Sequence, residues 1–499
     1  MFSIVVVIGL LPLFGQEAAE IRTPKENPVP RFQGPKLIGV GVGKPFLFRI
    51  ACTGEKPLRF EAKGLPEGIV LEGGILRGTS PRQAGSYRVT LRASNRHGHS
   101  ERQFTIVAGD RLALTPPMGW NHWYTHYDRV TDATIREAAK VMVESGMADY
   151  GYSYVSIDDC WMRKPMSEDE ELSGPSRDSE GRILPNRRFP DMKALTDYIH
   201  GLGLKAGTYT SPGPLTCAKF TGAYRYEAQD ARQIAEWGFD LLKYDWCSYR
   251  QVAGGKELAD LKKPYELMGA LLKKQDRDIQ MNLCQYGMGD VWKWGGEVGG
   301  QSWRTTGDLG LEKDSRLPGF YSIGLKNAKL WEYAGPGKWN DPDYLLIGWV
   351  GNARDQKAEP KRTALTADEQ YSYMSMWALM ASPLFYSGMM SRLDAFTLNV
   401  LCNGEVIDVN QDALGKQARI VRQTEGELVL AKPMEDGSVV VGLFNLGETA
   451  GNMAVKWEEL GVRGGKRVRD VWRHRELGRK DGEFSVKVAR HGAEIIRVR

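Results

Sequence analysis

The chain has 499 residues, 42% of them hydrophobic, enough for a barrel-sized catalytic domain with two smaller domains beside it. Its 67 Lys and Arg against 62 Asp and Glu leave a formal charge of only +5, which points to no nucleic-acid partner. Six Cys are too few for a disulfide scaffold, none form a Cys-x-x-Cys pair, and the seven His are scattered, so neither a metal nor a cofactor is expected.

The chain opens on an apolar run from Met1 to Gly15 and turns polar at Gln16-Glu17-Ala18-Ala19-Glu20. That run is too short to span a bilayer and suits the core of a signal peptide over residues 1–19, although it lacks a basic start. A buried first strand is the alternative. An exported protein with no membrane contact after leader removal is expected. Residues 20–34, with Pro24, Pro28 and Pro30 among polar neighbours, read as a linker.

Over residues 35–109 short β-prone runs alternate with turn residues. Pro45–Ile50, Tyr87–Ala93 and Gln103–Val107 are the runs, and Leu65-Pro66-Glu67-Gly68 is one of the turns. This rhythm predicts a small β-sandwich. From residue 110 to 408 the pattern becomes strand, loop, helix, repeated. Strands are expected at Tyr154–Ile157, Leu204–Tyr209, Leu241–Tyr244, Ile279–Cys284 and Leu384–Ser387. Helices are expected at Asp132–Ser145, Met192–His200 and Ala228–Trp237. The first would bury Ile135, Ala138, Ala139, Val141 and Met142 on one face. Roughly eight such units fit an α/β fold of the (β/α)8 TIM barrel type. No glycine-rich phosphate loop opens a helix, which disfavours an open doubly wound sheet. Residues 409–499 return to short strands, clearest at Glu427–Ala431, Ser438–Phe444 and Ala493–Val498, and predict a C-terminal antiparallel β-domain.

Two barrel segments carry the chemistry. Leu241-Leu242-Lys243-Tyr244-Asp245-Trp246-Cys247 and Trp303-Arg304-Thr305-Thr306-Gly307-Asp308 each lead from an apolar or β-prone run to a carboxylate. Strand C-termini surround the active site of a barrel, so acids placed there face substrate. Two acids on different strands are the equipment of a glycoside hydrolase. Fourteen Trp and twenty Tyr fit a sugar ligand, since aromatic faces stack on sugar C–H faces, though most aromatics simply fill core.

Five motifs in order, starting with Pro116-Pro117-Met118-Gly119-Trp120-Asn121-His122-Trp123, resemble glycoside hydrolase family 27, the α-galactosidase (melibiase) group. Ile157-Asp158-Asp159-Cys160-Trp161 and the two acid-bearing segments continue the match. Lys338-Trp339-Asn340-Asp341-Pro342-Asp343 and Glu405–Asp412 complete it. The resemblance covers residues 112 to 499; the N-terminal part resembles immunoglobulin-like modules attached to bacterial members.

The resemblance implies a retaining exo-glycosidase that releases terminal α-D-galactose from oligo- or polysaccharides. Asp245 would be the nucleophile and Asp308 the general acid/base. Lys243, two residues before Asp245, would point the same way and keep it ionised. Asp158 and Asp159 would accept from the sugar's 4- and 6-hydroxyls. Trp123 would be a stacking platform, Tyr209 a wall, and Arg304 a forked donor to the 2-hydroxyl or to nearby carboxylates. Asp343 would close the ring near Asp308, with Asn340 and Asp341 fixing its loop. Gln285 and Tyr286 would face the 2-position, where their bulk favours galactose over N-acetylgalactosamine. Tyr344, where an apolar residue is common, would affect the aglycone side. The family also pairs Cys217 with Cys247, leaving Cys160 and Cys284 as thiols. A β-L-arabinopyranosidase, an α-N-acetylgalactosaminidase and a catalytically silent carbohydrate-binding protein are the competing readings.

Overall fold

Eight short parallel strands form the centre of the computed structural model, which describes residues 20–310, 316–351 and 359–499; the leader expected over 1–19 lies outside them. We number them β1 (Met118–Asn121), β2 (Tyr154–Ser156), β3 (Lys205–Thr210), β4 (Leu241–Asp245), β5 (Gln280–Cys284), β6 (Ser302–Arg304), β7 (Trp339–Asp341) and β8 (Leu384–Tyr386). From β1 to β7 each strand pairs with the next, and β1 also pairs with β8. The ring closes beyond β7, where the Leu345 N–H donates to the Phe385 carbonyl at 2.7 Å and the Ser387 N–H donates to the Leu345 carbonyl at 3.1 Å.

The strands lie between an inner core and an outer layer of helices, which is why the β4 run Leu-Leu-Lys-Tyr-Asp is buried throughout rather than alternating. Gly119 on β1 is dictated by this packing. A Cβ there would sit 2.3 Å from the Tyr154 carbonyl oxygen and 2.9 Å from the Phe385 ring. The helix after β1, Asp132–Glu144, starts where the Thr131 side chain accepts from the Thr134 N–H. It buries Ile135, Ala138, Ala139 and Met142, one helical stripe; Val141, expected on the same face, falls at its edge and is half-buried. The repeat is irregular after β5, where a single turn, Val291–Trp294, replaces a full helix.

The C-terminal domain packs a six-stranded antiparallel sheet against a two-stranded one. Val429, Val441, Leu443, Val455, Phe484 and Ile496 lie in their shared core. Between this domain and the barrel lies helix Ala367–Leu379, buried at every residue from Glu369 to Leu379. Its sequence has no polar stripe because none of its faces meets solvent.

Residues before 110 form a four-stranded and a three-stranded sheet around Val40, Phe46, Leu76, Val89, Phe104 and Ile106. They dock on the floor of the barrel, at the N-terminal ends of its strands. The Gly41 N–H donates to Asp278 at 2.6 Å, Arg49 donates to the Leu202 carbonyl at 2.9 Å, and Lys44 reaches the Gln275 carbonyl. The proline-rich segment 20–34 is not a free tether. Arg22 is buried, with ion pairs to Asp368 and to Glu494 (3.6 Å), and its guanidinium lies 4.4 Å from the centre of the Tyr371 ring. Composition marks this segment as polar, but polar groups with specific partners can dock as firmly as apolar ones.

Candidate active site

The mouth of the barrel, opposite the docked sheets, gathers every site residue expected from sequence. Asp245 and Arg304 end β4 and β6, and Tyr209 is the penultimate residue of β3. Trp123, Asp158 and Asp343 each lie two residues past a strand, Gln285 lies one past, and Asp308 four past. Apart from Trp123 and Gln285, they fall into three hydrogen-bonded groups.

The first surrounds Asp245, which is buried. Tyr286 donates its hydroxyl to Asp245 Oδ1 at 2.6 Å and Tyr209 donates to Oδ2 at 3.1 Å. Burial pushes this carboxyl up to about 6 against the opposing pull of the Lys243 charge and the Tyr286 bond, with Asp308 and Asp158 adding to the rise. Cys247, two residues on, is joined to Cys217 in the loop after β3, while Cys160 and Cys284 are buried thiols.

The second group surrounds Asp158. Its Oδ2 accepts from Lys243 Nζ (2.8 Å), Asn121 Nδ2 (2.8 Å) and the Tyr344 hydroxyl (2.9 Å). Burial works against the Asp158 charge, but the Lys243 ammonium, helped by the Asp159 N–H that donates to Oδ1 at 3.0 Å, overcomes it and holds the carboxyl below its usual range. Burial keeps His122 neutral, with its pKa lowered to about 3. Its Nδ1 accepts from the Asp158 N–H at 3.0 Å, which puts the ring proton on Nε2, 3.2 Å from the Tyr127 carbonyl. Asp159 accepts from the Cys160 N–H at 2.7 Å and the Ala218 N–H at 2.9 Å, and burial raises it to about 7. It thereby ties the β2 end to the disulfide loop.

The third group joins Arg304 to two acids. One guanidinium nitrogen lies 3.1 Å from Asp308 Oδ1 and 3.2 Å from Asp343 Oδ2. Asp343 Oδ2 also accepts from the Tyr124 hydroxyl at 2.9 Å and the Leu309 N–H at 3.0 Å. Asp343 is fully buried, whereas the Asp308 side chain is 41% exposed, so the second acid is open to an incoming group. Asn340 and Asp341 support the loop: Asn340 accepts from Trp303 Nε1 at 2.9 Å, and Asp341 accepts from the Asp343 N–H at 2.9 Å. Trp123 is half-buried at the rim, tilted against Tyr127 with ring centres 4.7 Å apart. Gln285 is buried, its Nε2 donating to the Met288 carbonyl at 3.0 Å.

Two expectations need correction. Lys243 does favour the ionised form of Asp245, but its ammonium pairs with Asp158, and burial outweighs its pull and leaves Asp245 raised. Tyr344 does not face an aglycone. It is buried beneath the site, with its hydroxyl on Asp158 and Lys243 Nζ 5.1 Å from the centre of its ring. Sequence reasoning placed Tyr286 at the site for its bulk but not as a donor to Asp245, and it did not single out the donors Tyr124 and Asn121. Asn121, the last residue of β1, was the most accessible to it, since the rule that marks Asp245 applies equally there.

A profile of the family described as alpha galactosidase A (melibiase) matches residues 115–412, which hold every residue of this site. The chain belongs to that family. A second profile, the alpha galactosidase C-terminal beta sandwich domain, matches residues 426–498. An alpha-galactosidase of Cyamopsis tetragonoloba is 36% identical over 394 residues, covering 78% of this chain and 87% of its own. Alpha-galactosidase I of Mortierella vinacea superposes with a TM-score of 0.69 at 30% identity, over 78% of this chain and 98% of that one. A Bacteroides fragilis protein provisionally named alpha-galactosidase/melibiase superposes with a TM-score of 0.85 at 34% identity, over 94% of this chain and 98% of its own. That coverage exceeds what the melibiase barrel and C-terminal domain alone can supply, so the match extends into the N-terminal sheets.

Proposed function

We propose that this α-galactosidase works by double displacement, with Asp245 as nucleophile and Asp308 as general acid/base. The observation that carries the reading is the contrast between the two carboxyls at one mouth. Asp245 is buried between two tyrosine hydroxyls that aim it, and Asp308 is half-open beside Arg304. In the first step an Asp245 oxygen bonds to the anomeric carbon, the glycosidic bond breaks, and the Asp308 proton passes to the departing oxygen. In the second, Asp308 takes a proton from water, the water oxygen bonds to the same carbon, and Asp245 leaves. Two inversions return α-galactose.

The Asp158 group supports a sugar-recognition role. Its charge is fixed by Lys243, and Asp159 beside it supplies further acceptor capacity for hydroxyl donors. Tyr286 stands over the nucleophile at the 2-position side, where its ring opposes an N-acetyl group. The reading extends to an exported chain, with residues 1–19 as leader, 35–109 as an immunoglobulin-like module, 110–408 as the catalytic barrel and 409–499 as the C-terminal domain. The Cys217–Cys247 disulfide fits an oxidising compartment.

Proton NMR of the first-formed sugar tests the mechanism, because retention gives α-galactose before mutarotation; early β-galactose overturns it. Nitrophenyl α-galactoside, β-L-arabinopyranoside and α-N-acetylgalactosaminide test the sugar, with the galactoside expected to turn over fastest.

A further inference from the structure

A groove of about 950 Å³ opens beside the nucleophile and is not used by the mechanism above. Its walls include Cys247 and Tyr286, so it starts at the catalytic centre; Tyr286 is the residue that donates to Asp245 at 2.6 Å. Its volume suits more than a single small group. Trp246, Leu261 and Met288 give it an apolar lining, and among the described residues its charged lining is Lys219, Arg250 and Lys256, with no carboxylate. All three cations are exposed, and none of their side chains has an ion pair or hydrogen bond among the described residues. Other cations of this chain are engaged quite differently: Arg177, Arg188, Arg304, Arg422 and Arg469 each meet a carboxylate.

The backbone marks the same place. Lys219, Cys247 and Tyr286 all line the groove at positive φ (69°, 37° and 65°), a region where glycine would be cheaper. Strain of this kind persists where surrounding structure fixes a side chain for use. The Lys219 turn is held at both ends, by its own N–H to the Thr216 carbonyl at 3.1 Å and by the Thr216 N–H to the Phe220 carbonyl at 2.8 Å.

We propose that this groove receives the aglycone and selects for an acidic one: a sugar residue bearing a carboxylate or a sulfate ester next to the α-galactosyl bond. The inference rests on the α-galactosidase reading of the adjoining site. Three cations on a groove with no acid among its described lining residues create a positive potential that attracts an anionic leaving residue and strengthens as water is displaced. A neutral leaving sugar would gain nothing from them.

The test compares 4-carboxyphenyl α-galactoside with its neutral carbamoyl counterpart. In the intact enzyme at low ionic strength the acidic substrate should have a kcat/KM about fivefold or more above the neutral one. That ratio should fall toward unity in about 0.5 M salt, where exposed charges are screened. It should fall likewise in a triple variant carrying Lys219→Gln, Arg250→Gln and Lys256→Gln; the salt arm stands if that variant does not fold. A 4-sulfophenyl galactoside run in parallel separates a uronate preference from a sulfate preference. A ratio of one or less in an active wild-type enzyme overturns the acidic-aglycone inference alone. So does a preference that survives both salt and charge removal. Failure to cleave either substrate overturns the α-galactosidase reading, and this inference with it.

Discussion

The floor and the mouth of the barrel each hold an aspartate at an end of β4, half-buried at the floor and buried at the mouth, and they treat it in opposite ways. On the floor, Asp240 meets His200 at 2.8 Å and Arg277 at 2.5 Å. Burial works against its charge, but His200 and Arg277 prevail and hold the carboxyl below its ordinary value. At the mouth, the Asp245 carboxyl accepts hydrogen bonds only from tyrosine hydroxyls among the described residues, and burial lifts it to about 6. A carboxylate that braces the fold is matched with cations, which lower its basicity. One that must attack carbon is aimed by neutral donors, which orient it while leaving its electron pairs reactive.

The largest expected effect breaks the mouth. Asp245→Asn and Asp308→Asn should each lower kcat by about 10³-fold or more. Azide should tell them apart, yielding β-galactosyl azide from the first and α-galactosyl azide from the second. Near-normal turnover by Asp245→Asn would show that the tyrosine-held acid is not the nucleophile.

Breaking the floor should cost stability and spare chemistry. Asp240→Ala leaves Arg277 and His200 without their shared acid, and should lower unfolding free energy by about 3 kcal/mol with little change in kcat of the folded enzyme. Denaturant unfolding and specific activity together check this.

A third effect has the opposite sign. The folded protein binds the Asp245 proton more tightly than an unfolded chain with the usual 3.8, so this group's stabilisation is complete below about pH 4 and is lost as pH rises through 6. Asp245→Asn removes that penalty, and should raise stability at pH 7 by about 1–2 kcal/mol while abolishing turnover. A melting temperature that falls would mean the tyrosine bonds outweigh the burial cost.

The smallest effect sharpens the comparison. The acid limb of kcat/KM should lie near pH 6, with activity lost below it as Asp245 protonates. Tyr286→Phe removes a bond that favours the ionised form, so the limb should move to higher pH and kcat should fall about tenfold. A purely packing role for Tyr286 would leave the limb in place.

What the sequence made readable was whatever obeys a local rule. Acids at strand ends follow from strand periodicity, so Asp245, Asp158 and Asp308 could be read from short motifs. The partners that tune them arrive from loops far along the chain: Tyr286 follows β5, Tyr344 follows β7, and Lys243 reaches across the barrel to Asp158. Loop tyrosines read as bulk until their hydroxyls have a destination. Arg22 shows the same limit, since nothing local to a proline-rich segment announces Asp368 or Glu494 as its partners.

The buried helix Ala367–Leu379 has a consequence for how the molecule breaks apart. The two family profiles divide the chain between residues 412 and 426, yet this helix meets the C-terminal domain through Ser372 on the His491 carbonyl (2.9 Å), Ser375 on Trp472 Nε1 (2.9 Å) and Tyr371 against the Trp472 ring (4.7 Å). Cutting there would strip solvent protection from a helix with no polar face to offer water. Barrel and C-terminal domain share the burial of this helix, so calorimetry should register their melting as a single event and a chain ending at residue 412 should aggregate.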